Sequence, residues 1–539
     1  MRERRRWGKL IRCANVVPLL FVFVVSLGSG PAVWAQADKE TLTVAASGDI
    51  QGIDPNVSAG APFQNEVIRN LNNSLVDFGL RRTESGELVG DFNRIAGVLA
   101  KSFVASPDGA TVTFRLRDDA QFPDGSPITA DAVKYSFDRM FGVNAGATFL
   151  LKMATVSAPD HVKVVSPSAV GITMDKPNPL LYGNLAQFSA AIVDPAVVKA
   201  HATSSDPWAT EWMKTHAAGA GPFVLEEWTP GSQIVLARNE HYWAGPAKLK
   251  RIVFKVVPDA ATRALLIRRG AVDMAMDLSL QDIATMQQTP SPNVVIRRYQ
   301  TTIAYYIGMN VNTKPFDDLR VRQAIAYAVP YDTILRDAVK GYGRPLRSPL
   351  PAGIASHDDN VWMYDTNTQR AKQLLAEAGL GGGFSVKLTI RAGFAEDQQM
   401  AVWVQSALRP LGVNVEVETL PLAGFTERLL KRQLPFFIHS WLSISNDPYY
   451  HYYLLFQQNC CNFGNFQDPK VTALIGANML TTNTTLRAAA SRQIQKIIME
   501  DAPWVFLYQP DYIITMTSHV KGFIFYPERY THYYTLSKQ

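Results

Sequence analysis

The length and composition of the chain are those of a large globular protein and not of a disordered one. It has 539 residues, 47% of them hydrophobic, and the usual ~100 to 200 residues per domain predicts two or three lobes. The 53 basic and 47 acidic residues give a net charge of +6. Outside residues 1–37 there are 47 basic and 46 acidic residues, which gives no reason to expect nucleic acid or an anionic membrane as a partner.

Residues 1–37 have the pattern of a secretory signal peptide. Six basic residues precede an apolar run from Val16 to Leu27, and Ala35-Gln36-Ala37 has the small-x-small pattern of a cleavage site. We therefore expect export and cleavage after Ala37 or Ala35. An uncleaved anchor is the alternative, although a membrane-spanning helix needs roughly 20 apolar residues.

The three cysteines leave one open question. Cys13 lies inside the predicted signal peptide, and the preceding Arg12 does not fit a lipoprotein signal. Cys460 and Cys461 are adjacent, so they either form a strained vicinal disulfide in an oxidising compartment or remain two free thiols.

The first elements along the chain predict a mixture of strands and helices. Thr111–Arg117 alternates apolar and polar residues, as a half-buried strand does. Thr129 stands at the start of a segment whose apolar residues recur with helical spacing. Further on, Val224–Trp228 and Ile234–Leu236 flank a Thr-Pro-Gly turn, which predicts a hairpin.

The second half of the chain continues in the same way. Helical spacing recurs in Leu319–Ala328 and in Arg370–Ala378, with Gly379 placed to end the second helix. A strand is predicted at Ser385–Ile390, and the segments 513–517 and 522–525 are also typical of strands. Without repeats or a detachable linker, the pattern indicates an α/β or α+β protein.

Motifs for catalysis are not evident in the sequence. It contains no G-x-S-x-G elbow, no H-E-x-x-H zinc helix and no phosphate-binding loop. Ser518 and Lys521 form one S-x-x-K match, but the pattern needs a helix start and its neighbours look like strands. The nine histidines are scattered, so we expect no metal site, no cofactor and no catalytic residue. A binding protein is the simpler interpretation.

Four segments carry a resemblance to a known family. Leu99–Met140, which includes SPDGATVTFRLRDDAQFPDGSPITADAVKYSFDRM, resembles the signature of the family 5 extracellular solute-binding proteins of ABC importers, the dipeptide, oligopeptide and nickel-binding class. Gly219–Trp243 is similar to the second block of that family, and Val321–Leu335 and Ala502–Pro510 are similar to its later blocks. Together they cover nearly the whole chain after the signal peptide.

The resemblance implies a two-lobed clamshell of the periplasmic-binding-protein kind, cluster C type, with three domains and mixed sheets. Domain I would comprise residues 38–70, 219–299 and 513–539, domain II residues 71–218, and domain III residues 300–512. The crossings near 299 and 513 would form the hinge. A ligand that bridges both lobes binds the closed form better and shifts the population towards it.

The same resemblance implies the partners. The ligand would be a peptide or another small molecule, and the closed form would deliver it to an ABC permease at the inner membrane. We expect a periplasmic protein, most simply a monomer.

The candidate site centres on Ser440–Phe456, which reads SWLSISNDPYYHYYLLF. In peptide-binding members an acid stands three residues after the Trp of this segment and pairs with the ligand's ammonium group. Here the Trp is Trp441 and the third residue on is Ile444, so the counter-charge is missing unless Asp447 replaces it. The alternative for Asp447 is a turn residue before Pro448.

Other ligand contacts are expected from several parts of the chain. The resemblance implies that Arg391 pairs with a ligand carboxylate through its guanidinium fork, or it is a solvated residue at a strand end. Tyr449 is a candidate contact, although most tyrosines of its cluster are expected to pack. Ser47 and Gly48 follow the first strand and would line the cleft from domain I.

Several functions compete at this stage. The leading one is a binding protein for a peptide or a peptide-sized carboxylate, and an opine or sugar conjugate is the alternative ligand. An exported hydrolase would have to rely on Ser518 and Lys521. A chaperone-like role would predict broad and weak binding without closure.

Overall fold

A twelve-stranded sheet dominates the structure, a computed structural model that describes residues 39–57, 62–457 and 460–539. A four-stranded sheet and two two-stranded sheets accompany it. The predicted signal peptide, its cleavage site and Cys13 lie outside the described residues. The expected α/β architecture with mixed sheets is confirmed.

The strands of the described residues alternate with helices for most of their length. They are β1 (Thr41–Ala46), β2 (Val76–Arg82), β3 (Leu88–Gly97), β4 (Ala100–Ala105), β5 (Thr111–Leu116), β6 (Val162–Ser166), β7 (Ala169–Thr173), β8 (Phe223–Thr229), β9 (Gln233–Arg238), β10 (Arg251–Val256), β11 (Met274–Ala275), β12 (Val294–Gln300), β13 (Ile303–Met309), β14 (Gly343–Pro345), β15 (Ser385–Arg391), β16 (Asn414–Leu420), β17 (Phe436–Leu442), β18 (Trp504–Thr517), β19 (Val520–Lys521) and β20 (Ser537–Lys538).

The helices of the same residues range from single turns to 18 residues. They are α1 (Pro62–Leu71), α2 (Ala130–Val143), α3 (Gly146–Met153), α4 (Leu180–Leu185), α5 (Pro195–Ala200), α6 (Thr210–Met213), α7 (Ala260–Arg268), α8 (Leu280–Gln288), α9 (Leu319–Ala328), α10 (Tyr331–Thr333), α11 (Thr368–Glu377), α12 (Ala395–Leu408), α13 (Leu422–Leu430), α14 (Pro448–Leu455), α15 (Pro469–Asn478) and α16 (Thr484–Asp501). Within the described ranges, none of them is both long and apolar enough to cross a membrane.

The large sheet has the strand order β16-β15-β17-β13-β18-β11-β1-β10-β9-β8, with β12 and β14 also paired to β18. The long strand β18 joins its two halves. The first part of β18, Trp504–Tyr508, pairs with β13, and the second part, Asp511–Thr517, pairs with β12. The chain crosses from one half of the sheet to the other twice, at Thr301 between β12 and β13 and at Pro510 within β18. These two chain crossings lie side by side, because the Thr301 hydroxyl donates to the carbonyl of Pro510 at 2.5 Å.

Three large hydrophobic clusters accompany the sheets. The first packs around β13, β17 and the start of β18, the second around the four-stranded sheet β4-β5-β7-β6, and the third around β1, β9 and β10. Strands of the second and third clusters, such as β5 and β10, bury one alternating face, which is why alternation along the chain predicts them. In the first cluster, β13 and the first six residues of β18 are buried at every position.

Most of the predicted elements are confirmed. Thr129 caps α2 by accepting a hydrogen bond from the amide of Ala132 at 3.2 Å, the hairpin is β8 and β9, and Gly379 follows α11 with a φ of +76°. The predicted strand at 522–525 is wrong, since only Phe525 makes an isolated bridge, to Val89. Its hydrophobic side chains pack into the third cluster without a strand partner alongside.

The S-x-x-K match lies on a turn between two strands. β18 ends at Thr517, β19 begins at Val520, and the amide of Ser518 donates to the carbonyl of Asn293 at 2.9 Å. No helix begins at Ser518, so Lys521 is not brought beside it by helical spacing.

A buried carboxyl holds the C-terminal segment against α1. Glu66 is 1% exposed and accepts hydrogen bonds from the Tyr533 hydroxyl at 2.6 Å and from the Thr531 amide at 2.9 Å. Burial raises the pKa of Glu66 from 4.5 to about 7, although both hydrogen bonds act in the opposite direction. The folded protein therefore keeps this proton to a higher pH than the unfolded chain does.

Stability should consequently fall as pH rises from about 4.5 to 7, because only the unfolded chain gains the charge freely there. Glu66→Gln should flatten this dependence by up to about 3 kcal/mol between pH 5 and pH 8. Denaturant unfolding at both pH values measures the effect, with the exposed Glu84→Gln as the control. An unchanged pH dependence in Glu66→Gln would contradict the assignment.

Candidate functional site

The ends of two neighbouring strands bring the predicted site residues to one edge of the large sheet. β15 and β17 run parallel, with Thr389 opposite Phe437, so their carboxyl ends lie at the same edge. Arg391 ends β15, and Trp441 lies at the end of β17. This edge is beside the chain crossings, because Ile303 at the start of β13 pairs with Leu442.

Ile444 stands at the position where peptide-binding members of the resembled family are expected to have an acid. Its side chain is half-buried against the first hydrophobic cluster. Its carbonyl accepts a hydrogen bond from Nε2 of Gln187 at 3.2 Å, and Asn446 bonds to Asn93. The loop after β17 therefore touches residues that precede and follow the four-stranded sheet in sequence.

Asp447 cannot replace the missing acid in the state described by the structure. It caps α14 by accepting from the amide of Tyr449 at 2.8 Å, and its second oxygen pairs with Arg487. Burial raises the pKa of Asp447, while the charge of Arg487 opposes that rise. Arg487 is itself anchored by donating to the Met479 carbonyl at 2.7 Å, so both partners are held in place.

The tyrosine cluster is mainly packing, as predicted. Tyr449, Tyr450 and Tyr452 are buried, and only Tyr453 of the four is half-buried. The Tyr449 hydroxyl donates to the carbonyl of Arg487 at 3.0 Å. A ligand contact by Tyr449 stays a prediction, but its side chain has no exposed surface in this structure.

Trp441 is half-buried and faces an aromatic neighbour. Its ring centroid lies 6.4 Å from that of Phe463, with the planes tilted by 58°. Opposite Trp441 in the sheet stands the small residue Ala304. The indole Nε1 is buried and has no hydrogen-bond partner among the described residues. Its expected role as a ligand contact stays a prediction.

Arg391 is paired within its own chain. Its Nε donates to Asp397 Oδ2 at 2.7 Å and its Nη2 donates to Oδ1 at 2.8 Å. The Tyr305 hydroxyl also donates to Oδ1. The guanidinium is therefore not a solvated group at a strand end, and its Nε/Nη2 edge is already occupied. Removing one partner of such a buried pair typically costs about 3 to 5 kcal/mol.

Ser47 and Gly48 lie on the other half of the large sheet, directly after β1. The Ser47 hydroxyl donates to Asp277 Oδ2 at 2.6 Å, and a side chain at Gly48 would point into open space. The next residue, Asp49, is used structurally, since it accepts from Trp228 Nε1 at 3.0 Å and from the Gly231 amide at 2.6 Å.

Four charged residues near this edge were missed in the sequence: Asp277, Glu396, Asp397 and Arg529. Burial raises the pKa of Glu396, and the charges of Asp277 and Asp397 add to the rise. The charges of Arg529 and Arg391 oppose it. The side chain of Glu396 is nevertheless exposed to solvent. The Glu-Asp pair at the start of α12 was the only signal available in the sequence.

The neighbouring cysteines are oxidised in the structure. Cys460 and Cys461 form a vicinal disulfide with a Cα–Cα distance of 3.8 Å. Among the residues that the structure describes, no group of three His, Cys, Asp or Glu side chains could hold a metal ion.

Comparison with known proteins decides the family. The model of the bacterial extracellular solute-binding proteins, family 5 middle region, matches residues 94–462. The chain belongs to this family. Its members are solute-binding proteins of ABC importers and not enzymes, and this solute-binding protein is accordingly the substrate-binding component of such an importer.

Similar proteins cover nearly the whole chain. The probable D,D-dipeptide-binding periplasmic protein DdpA of Escherichia coli K12 is 30% identical over 96% of this chain and 97% of its own. The periplasmic binding protein DppA of Helicobacter pylori, in complex with the peptide STSA, has a TM-score of 0.80 and 22% identity, covering 92% of this chain and 98% of its own. The protein AgaA of A. tumefaciens R10, in complex with agropinic acid, has a TM-score of 0.78 and 24% identity, covering 93% and 99%. These two structures share the clamshell fold with this solute-binding protein.

Removing the charge of Asp447 should leave Arg487 buried without its partner. Asp447→Asn keeps the helix cap, so a loss of about 3 to 5 kcal/mol of unfolding free energy would report the ion pair alone. A double-mutant cycle with Arg487→Gln measures the coupling by denaturant unfolding. Additive effects of the two substitutions would show that the pair contributes nothing.

Proposed function

We propose that this protein captures a peptide or peptide-sized solute between two lobes in the periplasm and delivers it to an inner-membrane permease. Trp441 and Ile444 carry the proposal, since they lie beside the chain crossings and the carbonyl of Ile444 accepts a hydrogen bond from Gln187 of the proposed domain II. Two similar proteins support the ligand class, because DdpA is named a probable D,D-dipeptide-binding protein and DppA is in complex with a peptide. In this proposal the protein is exported through its signal peptide, is cleaved near Ala37 and acts as a monomer.

We also propose the three-domain division expected from the resemblance. Most of the third hydrophobic cluster belongs to domain I (38–70, 219–299 and 513–539), most of the second to domain II (71–218) and most of the first to domain III (300–512). The strand order supports the division, because the halves of the large sheet meet at β18. The hydrogen bond from Gln187 to Ile444 then joins domains II and III across the cleft.

The proposed ligand contacts come from both lobes. Trp441 and Ile444 face the ligand from domain III, and Ser47 and Gly48 face it from domain I. A flat indole buries a large area against a peptide plane, and the open space above Gly48 leaves room for a backbone or a ring. Asp447 and Tyr449 are left out of this set, because Asp447 is paired with Arg487 and Tyr449 is buried in the core.

Ile444 bears on whether the ligand carries a free amino terminus. A buried ammonium group beside an isoleucine would lack its counter-charge, and Asp447 is committed to Arg487. A ligand without a free amine at this place is therefore favoured. An opine or sugar conjugate is the second candidate, which the same residue and the agropinic acid complex of AgaA support.

Trp441→Ala should weaken ligand binding by at least about tenfold, as expected for a central aromatic anchor. The ligand that co-purifies from the host, identified by native mass spectrometry, is titrated calorimetrically. Trp212→Ala is the control, since Trp212 is stacked between His201 and His216 in domain II. Equal loss in both variants would place the effect in folding and not in the site.

The role of Ile444 is tested with alanyl-phenylalanine and its N-acetyl derivative. The wild-type protein should bind the acetylated form at least as tightly, and Ile444→Asp should shift the preference towards the free amine by about tenfold or more. Ile444→Asn is the uncharged control. A strong wild-type preference for the free amine would refute the assignment, and binding of neither compound would count against a peptide ligand.

A further inference from the structure

Asp397 fills one of the two hydrogen-bonding edges of Arg391, the edge formed by Nε and Nη2. The two N–H groups of this edge already donate in parallel to its two oxygens, at 2.7 and 2.8 Å. Asp397 has no exposed surface and Arg391 is 7% exposed. The ring of Phe394 covers one face of the guanidinium, with Cζ 4.1 Å from its centroid. A ligand that leaves Asp397 in place can bind Arg391 only through the remaining N–H groups, and Asp397 already compensates the positive charge.

The pair forms from local structure and does not wait for a ligand. Arg391 ends β15, α12 begins at Ala395, and the link between them includes Gly393 with a φ of +83°. This short link places Asp397 in the first turn of α12, where the helix dipole favours a negative charge. The amide of Arg391 also donates to Asp397 at 3.3 Å, and Tyr305 holds the other oxygen.

The surrounding charges do not favour a further carboxylate. With Arg391 neutralised by Asp397, the charges of Asp277 from domain I and Arg529 from the C-terminal segment also act on Glu396, and Asp277 in turn acts on the guanidinium of Arg263. Two carboxylates are therefore matched by two guanidinium groups there. A ligand carboxylate entering this region would meet no uncompensated positive charge, whereas a carbonyl oxygen needs none.

We propose that Asp397 is a specificity-determining residue that neutralises Arg391, so that the cleft has no preference for a free carboxylate and accepts ligands presenting an uncharged amide or ester at this end equally well. The carboxylate of Asp397 thus takes the place on the Arg391 guanidinium that the carboxylate of a peptide would otherwise occupy. The role of Arg391 changes from a carboxylate receptor to a rigid donor for a neutral carbonyl.

Because this inference rests on the peptide-binding function proposed above, the probes are peptides that differ only at the carboxyl terminus. Calorimetry compares N-acetyl-alanyl-phenylalanine with its C-terminal amide. The wild-type protein should bind the amide as tightly as the acid, within about threefold. Asp397→Asn should free Arg391 and shift the preference towards the acid by about tenfold or more, and Arg391→Gln in the same background should abolish that shift.

Several results would overturn the inference. A wild-type preference for the acid of about tenfold or more, lost in Arg391→Gln, would show that Arg391 still selects a carboxylate. An unshifted preference in a folded Asp397→Asn protein would show that Asp397 does not control selection. If that variant does not fold, the wild-type comparison still decides. Binding of neither peptide would instead remove the peptide ligand itself, together with this inference.

Discussion

The strand β18 couples the two halves of the large sheet, and the position of every candidate site residue depends on it. Its first part is held by β13 and its second part by β11 and β12, so each half of the sheet is a hydrogen-bonded unit. Pro510 lies between the two parts and has no N–H to donate, and β14 pairs with β18 there, opposite Tyr508, Gln509 and Pro510.

Ionic groups near the cleft are paired within the chain before any ligand arrives. Asp447 is matched by Arg487 and Arg391 by Asp397, and all four side chains are largely buried. Breaking such a pair costs about 3 to 5 kcal/mol, which exceeds the about 1.5 to 3 kcal/mol that a hydrogen bond to a charged group contributes. In the proposed site, recognition therefore falls to aromatic and aliphatic surfaces and to neutral hydrogen-bonding groups.

Local signals predicted the elements well because their causes are local. The apolar spacing within α2, the cap at Thr129 and the turn between β8 and β9 each act within a few residues. The segment 522–525 shows the limit of this reasoning. It has strand-like residues, yet apart from the bridge at Phe525 no neighbouring strand offers a ladder, and its side chains bury themselves against the third cluster instead.

By itself, the sequence determined the α/β class, the positions of most helices and strands, and the presence of Ile444 where an acid would pair with an amine. Only the tertiary structure decided which charges are free. Arg487 is forty residues from Asp447, and the turn of the chain between β15 and α12 aims Asp397 at Arg391. Pairing depends on distances through space and on burial, which neither periodicity nor composition contains.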